Sequence, residues 1–163
     1  MTQATDRLCR IDIDDSAMPP PTPEMEQDRR VAVFDLLEDN SFRLPGREGQ
    51  PVPPGPYALS LAMRDKRLVF SIATEGNEAV AEFHLSMGPF RQTVKDYFQI
   101  CESYYDAVRR LGPAQIEAID MGRRGVHNDG SELLRERLSG KIVLDTDTAR
   151  RLFTLICVLH WRS

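Results

Sequence analysis

At Pro89 the spacing of apolar residues changes from strict alternation to the helical period of about 3.6, and this switch constrains the fold more than any other feature. Before it, Leu8-Cys9-Arg10-Ile11-Asp12-Ile13-Asp14 alternates apolar and polar residues, the pattern of a strand with one buried face. Tyr57, Leu59, Leu61 and Met63 repeat the alternation, followed by Leu68, Phe70 and Ile72, then by Ala79, Ala81, Phe83 and Leu85. Asp65-Lys66 joins the first two of these three strands, without the glycine that favours a two-residue hairpin, and Glu75-Gly76-Asn77 joins the next. Three strands with short turns read as an antiparallel meander with one face toward the core.

After Pro89 the same reasoning predicts helices. Phe90, Val94, Tyr97, Phe98, Ile100, Cys101, Tyr104, Tyr105, Val108 and Leu111 share an arc of roughly 160° on one long helix. Gly112-Pro113 stops it and starts another, which carries Ile116, Ile119 and Met121 inward until Gly122. A glycine-bracketed loop follows, and Asp129 or Ser131 caps a short helix with Leu133, Leu134 and Leu138, closed by Gly140. Lys141 to Leu144 reads as a short strand. The last helix begins at Asp145 or Thr146, and Leu152, Phe153, Leu155, Ile156, Cys157, Val158, Leu159 and Trp161 leave it almost no polar face. Such a helix must lie inside the domain or inside a dimer interface.

Two further segments complete the expected architecture. After the proline cluster of residues 18–23, Thr22 suits an N-cap and Pro23 the first helical position, so a helix is expected to about Asp39, burying Val31, Phe34 and Leu37. Residues 43–56 are too rich in proline and glycine for helix or central strand and are expected as a surface loop. The reading is α+β: an N-terminal antiparallel β meander packed against a C-terminal helical layer, residues 1–163 forming a single domain with 1–6 disordered. At 163 residues the chain buries about 70% of its unfolded surface and needs no staples.

Cys9, Cys101 and Cys157 are odd in number and far apart, which suggests reduced core thiols rather than a disulfide frame. No apolar run approaches a membrane span, and the start of the chain lacks the build of a secretion signal, so the expected location is cytoplasmic, with no membrane contact. Up to Gly88 there are 9 basic and 15 acidic residues, and after it 12 and 10, so anionic partners are expected at the C-terminal end. Nucleic acid is not expected as a main target, because following a phosphate backbone calls for a basic domain.

Specific catalytic signatures fail. Gly140-Lys141 is followed by Ile142 and lacks the upstream glycine of a P-loop, and neither the Rossmann fingerprint nor the Gly-x-Ser-x-Gly elbow occurs. His84, His127 and His160 have no partner at metal-ligand spacing, so no metal and no cofactor is expected. Only the stretch from Gly122 to Ser131 combines the ingredients of a site. Arg123 and Arg124 could clamp an anion, the N–H groups of Gly130 and Ser131 would point from a helix start, His127 titrates near neutrality, and Asp129 could orient it. An ordinary turn accounts for the same residues: arginines offset a helix C-terminus and Asp129-Gly130-Ser131-Glu132 has capping-box spacing. Arg109-Arg110 and Arg150-Arg151 would join Arg123-Arg124 in a basic patch if the last helices converge.

The strings Asp96-Tyr97-Phe98-Gln99-Ile100-Cys101-Glu102-Ser103-Tyr104-Tyr105, Ala118 to Asn128 and Ala149 to Trp161 resemble an uncharacterised protein family of alphaproteobacteria, over nearly the whole chain. The resemblance implies a bacterial cytoplasmic setting and carries no activity, ligand or catalytic residue. Two functions therefore stay open. One is a regulatory or interaction protein without catalytic activity, whose apolar final helix serves a protein partner or a homo-oligomer. The other is an anion-binding protein, or a small acid-base enzyme, that takes a phosphate or carboxylate ligand on the 122–131 segment.

Overall fold

The computed structural model describes residues 5–14, 16, 20–46 and 51–159. The chain runs β1 (Leu8–Asp14), α1 (Pro23–Glu38), β2 (Phe42–Arg43), β3 (Tyr57–Arg64), β4 (Arg67–Thr74), β5 (Ala79–Ser86), a 3-10 turn (Gly88–Phe90), α2 (Arg91–Arg110), α3 (Pro113–Arg137), β6 (Val143–Leu144) and α4 (Thr146–Leu159). This is an α+β architecture. The expected meander is present: β3, β4 and β5 pair antiparallel, with Leu61 opposite Phe70 and Phe70 opposite Phe83. Asp65 and Lys66 both adopt positive φ, 50° and 63°, so the turn between β3 and β4 has the twist of a glycine hairpin without the glycine.

The sheet is mixed, however, because β1 pairs parallel to β3 and the strand order is β1-β3-β4-β5. A parallel pair needs a long crossover, and α1 lies within it. Thr22 Oγ1 accepts from the Met25 N–H at 3.2 Å and Pro23 occupies the first turn, as the sequence predicts. The buried face of α1 is not the predicted one. Met25, Ala32 and Leu36 face the core, whereas Val31, Phe34 and Leu37 are 47%, 64% and 42% exposed. Apolar residues are scattered around this helix, so its own periodicity did not select a face, and packing against α4 and β1 did.

Of the segment expected as a loop, Phe42–Arg43 forms β2 and pairs antiparallel with Val143–Leu144 of β6. Residues 47–50 lie outside the described residues, and 51–56 form no helix or strand. At the other end of the chain, the Asp6 carbonyl accepts from the Phe42 N–H at 3.0 Å, and residues 1–4 again lie outside the described ones.

α4 takes the place its composition demands. Every residue from Leu152 to Leu159 is buried, and Asp145 caps the helix by accepting from the Thr148 N–H at 2.8 Å. α1 and α3 both pack on α4, and α2 packs on α3. The core joins Leu59, Leu61, Leu68, Phe70 and Ile72 of the sheet to Leu152, Phe153 and Ile156 of α4. No helix among the described residues is long and apolar enough to cross a membrane.

Candidate anion-binding site

The glycine-bracketed loop does not exist. Pro113–Arg137 is one continuous helix, with Gly112 at its N-cap, and Gly122, Gly125 and Gly130 are all inside it. Each interior glycine costs a helix roughly 1 kcal/mol relative to alanine, a local penalty that packing against α2 and α4 outweighs. Gly130 has a positive reason to be glycine. Its backbone lies against the tip of the Phe153 ring, where a Cβ would sit 2.5 Å from both Cε1 and Cε2.

The corrections to the expected site follow from that continuity. Gly130 and Ser131 are buried in mid-helix, so their N–H groups belong to the helix ladder and not to an anion-facing helix start. Ser131 Oγ donates to the Asn128 carbonyl at 2.9 Å. Asp129 is exposed, and the partners of His127 are Thr154 and Arg150 instead.

Arg123, Arg124 and His127 nevertheless come together, because His127 stands four and three residues after the two arginines, the spacings that make side chains neighbours on a helix. With Tyr97 of α2 and Arg150 of α4 they line a concavity of about 230 Å³. Asp120 holds two of the guanidiniums: its Oδ1 is 2.7 Å from Arg123 Nη2 and its Oδ2 is 2.8 Å from Arg124 Nη2. The Arg123 guanidinium also lies over the Tyr104 ring, 4.0 Å from its centroid. Arg150 has no carboxylate at ion-pair distance among the described residues. Three guanidiniums thus line the concavity while one carboxylate pairs with two of them, and the concavity carries net positive charge.

Arg150 is held by a closed hydrogen-bonded ring. Its Nε–H donates to His127 Nδ1 at 3.4 Å, which leaves the imidazole proton on Nε2, and Nε2 donates to Thr154 Oγ1 at 2.8 Å. The Thr154 hydroxyl donates in turn to the Arg150 carbonyl at 3.3 Å. Tyr97 stacks on the imidazole, with ring centroids 5.6 Å apart. Burial, reinforced by the Arg150 and Arg123 guanidiniums, pushes the His127 pKa down to about 4. At neutral pH the ring is uncharged, and its nitrogens are engaged by Arg150 and Thr154 rather than by Asp129.

This depressed pKa has a sign that can be checked. The unfolded chain protonates His127 near 6.5 and the folded chain only near 4, so stability present above 6.5 is lost as the pH falls from 6.5 toward 4. In urea unfolding across that range, His127→Gln is expected to lose less stability than the parent protein. Equal losses would show that the imidazole is not held neutral.

The two buried thiols are not activated. Burial pushes Cys101 up to about 11 and raises Cys157 as well. His84 is exposed on β5, 2.9 Å from Glu82 and apart from the helical site, and His160 lies outside the described residues. Among the described residues no group of three or more His, Cys, Asp or Glu could hold a metal ion. Of the other arginine pairs, only Arg150 joins the concavity. Arg109 pairs with Glu24, Arg110 with Asp106, and Arg151 with the Asp39 carbonyl. Sequence reasoning missed Asp120 and Thr154 as neighbours of these side chains. The i+3 and i+4 spacing of Asp120 to the two arginines was a readable signal once the helix is known to be unbroken.

The fold and site together define an α+β protein with a basic concavity in its helical layer. The chain belongs to the uncharacterised protein family UPF0262, whose sequence model matches residues 5–162. It is 78% identical over 159 residues to a UPF0262 protein of Paracoccus denitrificans strain Pd 1222, covering 98% of each chain. A UPF0262 protein of Roseobacter denitrificans is 70% identical over 155 residues, covering 95% of this chain and 98% of the relative. One from Ruegeria pomeroyi is 67% identical over 155 residues, covering 95% and 96%. No solved structure matches the chain.

Proposed function

We propose that this protein is a non-catalytic regulatory protein of the bacterial cytoplasm, a single domain that binds a small phosphorylated or carboxylated metabolite between α2, α3 and α4. The observation that carries this reading is Arg150: a guanidinium without a carboxylate partner among the described residues, oriented by His127 and Thr154 into a concavity that Arg123 and Arg124 also line. A binding role is favoured over acid-base catalysis because His127 is neutral and engaged at both ring nitrogens. Thermal shifts against pyrophosphate, citrate and a panel of phosphorylated metabolites test it. A ligand should raise the midpoint, by mass action, and do so less at high salt. Arg150→Ala should weaken that ligand about tenfold or more, the loss expected for a charge-assisted hydrogen bond. Failure of every anion to shift the midpoint would overturn the reading.

The apolar residues of α4 from Leu152 to Leu159 are buried in the core, which takes away the support that an apolar final helix gave to a protein-partner reading. The exposed Val31, Phe34 and Leu37 favour a second reading, self-association through α1, which light scattering would register as a dimer and refute as a monomer.

A further inference from the structure

A second concavity lies on the other side of Tyr97. α1 and α2 both rest on α4, and between them opens a cleft of about 360 Å³, at the lower end of the roughly 300–1,000 Å³ typical of small-ligand pockets. Its floor is apolar: Met25, Tyr97, Cys101, Cys157 and Val158 are all buried. Two polar links bridge the gap. Tyr105 Oη donates to Asp28 Oδ2 at 2.9 Å, and Arg109 Nη2 lies 3.6 Å from Glu24 Oε1.

The charge of this cleft is opposite to that of the basic site. Glu24, Asp28, Glu102 and Asp106 line it against Arg109 alone among the described lining residues. Glu24 is paired with Arg109 and Asp106 with Arg110, but Asp28 and Glu102 have no cation at ion-pair distance among the described residues. Glu102 is exposed and solvated. Asp28 is half-buried, and the Tyr105 hydroxyl occupies only one of its acceptor positions. Burial holds its carboxyl above the usual range, against the Tyr105 hydroxyl and the Arg123 guanidinium. The cleft thus presents a partly desolvated carboxylate with no cation at ion-pair distance among the described residues, above an apolar floor and beside the rings of Phe98 and Tyr105. A metal ion does not suit it, since no three-ligand group is available among the described residues.

We propose that the cleft between α1, α2 and α4 binds a small organic amine, its ammonium on the Asp28 carboxylate and its apolar body over Met25, Tyr97 and Val158. The site is separate from the anion site, and neither proposal rests on the other. An ammonium suits Asp28 because it supplies donors and charge together, and the neighbouring aromatic faces attract a cation as well.

Three probes of similar shape and different charge test this on the unmodified protein: phenethylamine, phenethyl alcohol and phenylacetate, followed by amide and methyl chemical shifts in NMR titrations. Phenethylamine is expected to perturb Met25, Asp28, Tyr105 and Val158, and to bind about tenfold tighter than the alcohol, the difference a charge-assisted hydrogen bond makes. Phenylacetate is expected not to bind in the cleft. Asp28→Asn should remove the advantage of the amine while leaving the affinity for the alcohol. Equal affinity for amine and alcohol, perturbations confined to other surfaces, or no binding at millimolar concentration would each overturn the proposal. These probes need no variant, so a failure of Asp28→Asn to fold leaves the test intact.

Discussion

Replacing Asn40 by alanine is expected to destabilise the protein by about 2–4 kcal/mol, because one side chain satisfies three backbone groups and each buried orphan costs about 1–3 kcal/mol. Asn40 Oδ1 accepts from the Leu8 N–H at 2.7 Å, and its Nδ2 donates to the Leu8 carbonyl at 3.0 Å and to the Leu36 carbonyl at 2.7 Å. Leu8 opens β1 and Leu36 lies in the last turn of α1, and neither side chain has any exposure. The carboxamide therefore acts as a substitute strand for the first residue of β1 and ties the crossover helix to it. Asn40→Asp should recover little, since it keeps the acceptor and loses both donors. Denaturant unfolding followed by far-UV circular dichroism measures the effect. A midpoint for Asn40→Ala indistinguishable from that of the parent would mean that these bonds contribute nothing net.

Alanine at Gly130 should also destabilise, by about 1–3 kcal/mol, the usual cost of overpacking a full core. The same change at Gly125 should stabilise by about 0.5–1 kcal/mol, the ordinary gain from removing a helix glycine. The signs differ because of what stands opposite. At Gly125 an added Cβ meets nothing within 4 Å, while at Gly130 it meets the Phe153 ring. Phe153 is fully buried, and its neighbours Tyr97 and His127, with centroids 5.8 Å away in each case, resist its retreat. Ring displacement would reach the anion site through those two residues, so Gly130→Ala should weaken anion binding as well as lower the melting midpoint. If the two variants shift the midpoint in the same direction, the close approach of α3 to Phe153 is wrong.

Local signals were legible wherever the local and global preferences agree. Thr22-Pro23 announced the start of α1, alternation placed the inward residues of β3 and β4, and the nearly all-apolar α4 announced its own burial. Where the two disagree, the sequence misleads. Gly122, Gly125 and Gly130 resemble stop signals because isolated glycine weakens a helix, but what stands opposite each comes from far along the chain, Ile100 at Gly122 and Phe153 at Gly130. The alternation of β1 shows that it is a strand without showing its partner, so parallel pairing with β3 was hidden. The site was half visible. Arg123, Arg124 and His127 were nominated from a supposed loop and meet because they lie on a helix, whereas Arg150 and Thr154 arrive from α4 by tertiary packing that no spacing rule reports.

The position of Asp120 bears on how the basic concavity would fill. It already sits on both arginines of α3, so an incoming anion would have to compete with it for those guanidiniums rather than meet them free. Such an exchange trades tightness for quick turnover: the displaced carboxylate stays tethered one helical turn away and returns as soon as the visitor leaves. That behaviour suits a gauge that follows a changing concentration better than a store that hoards its cargo.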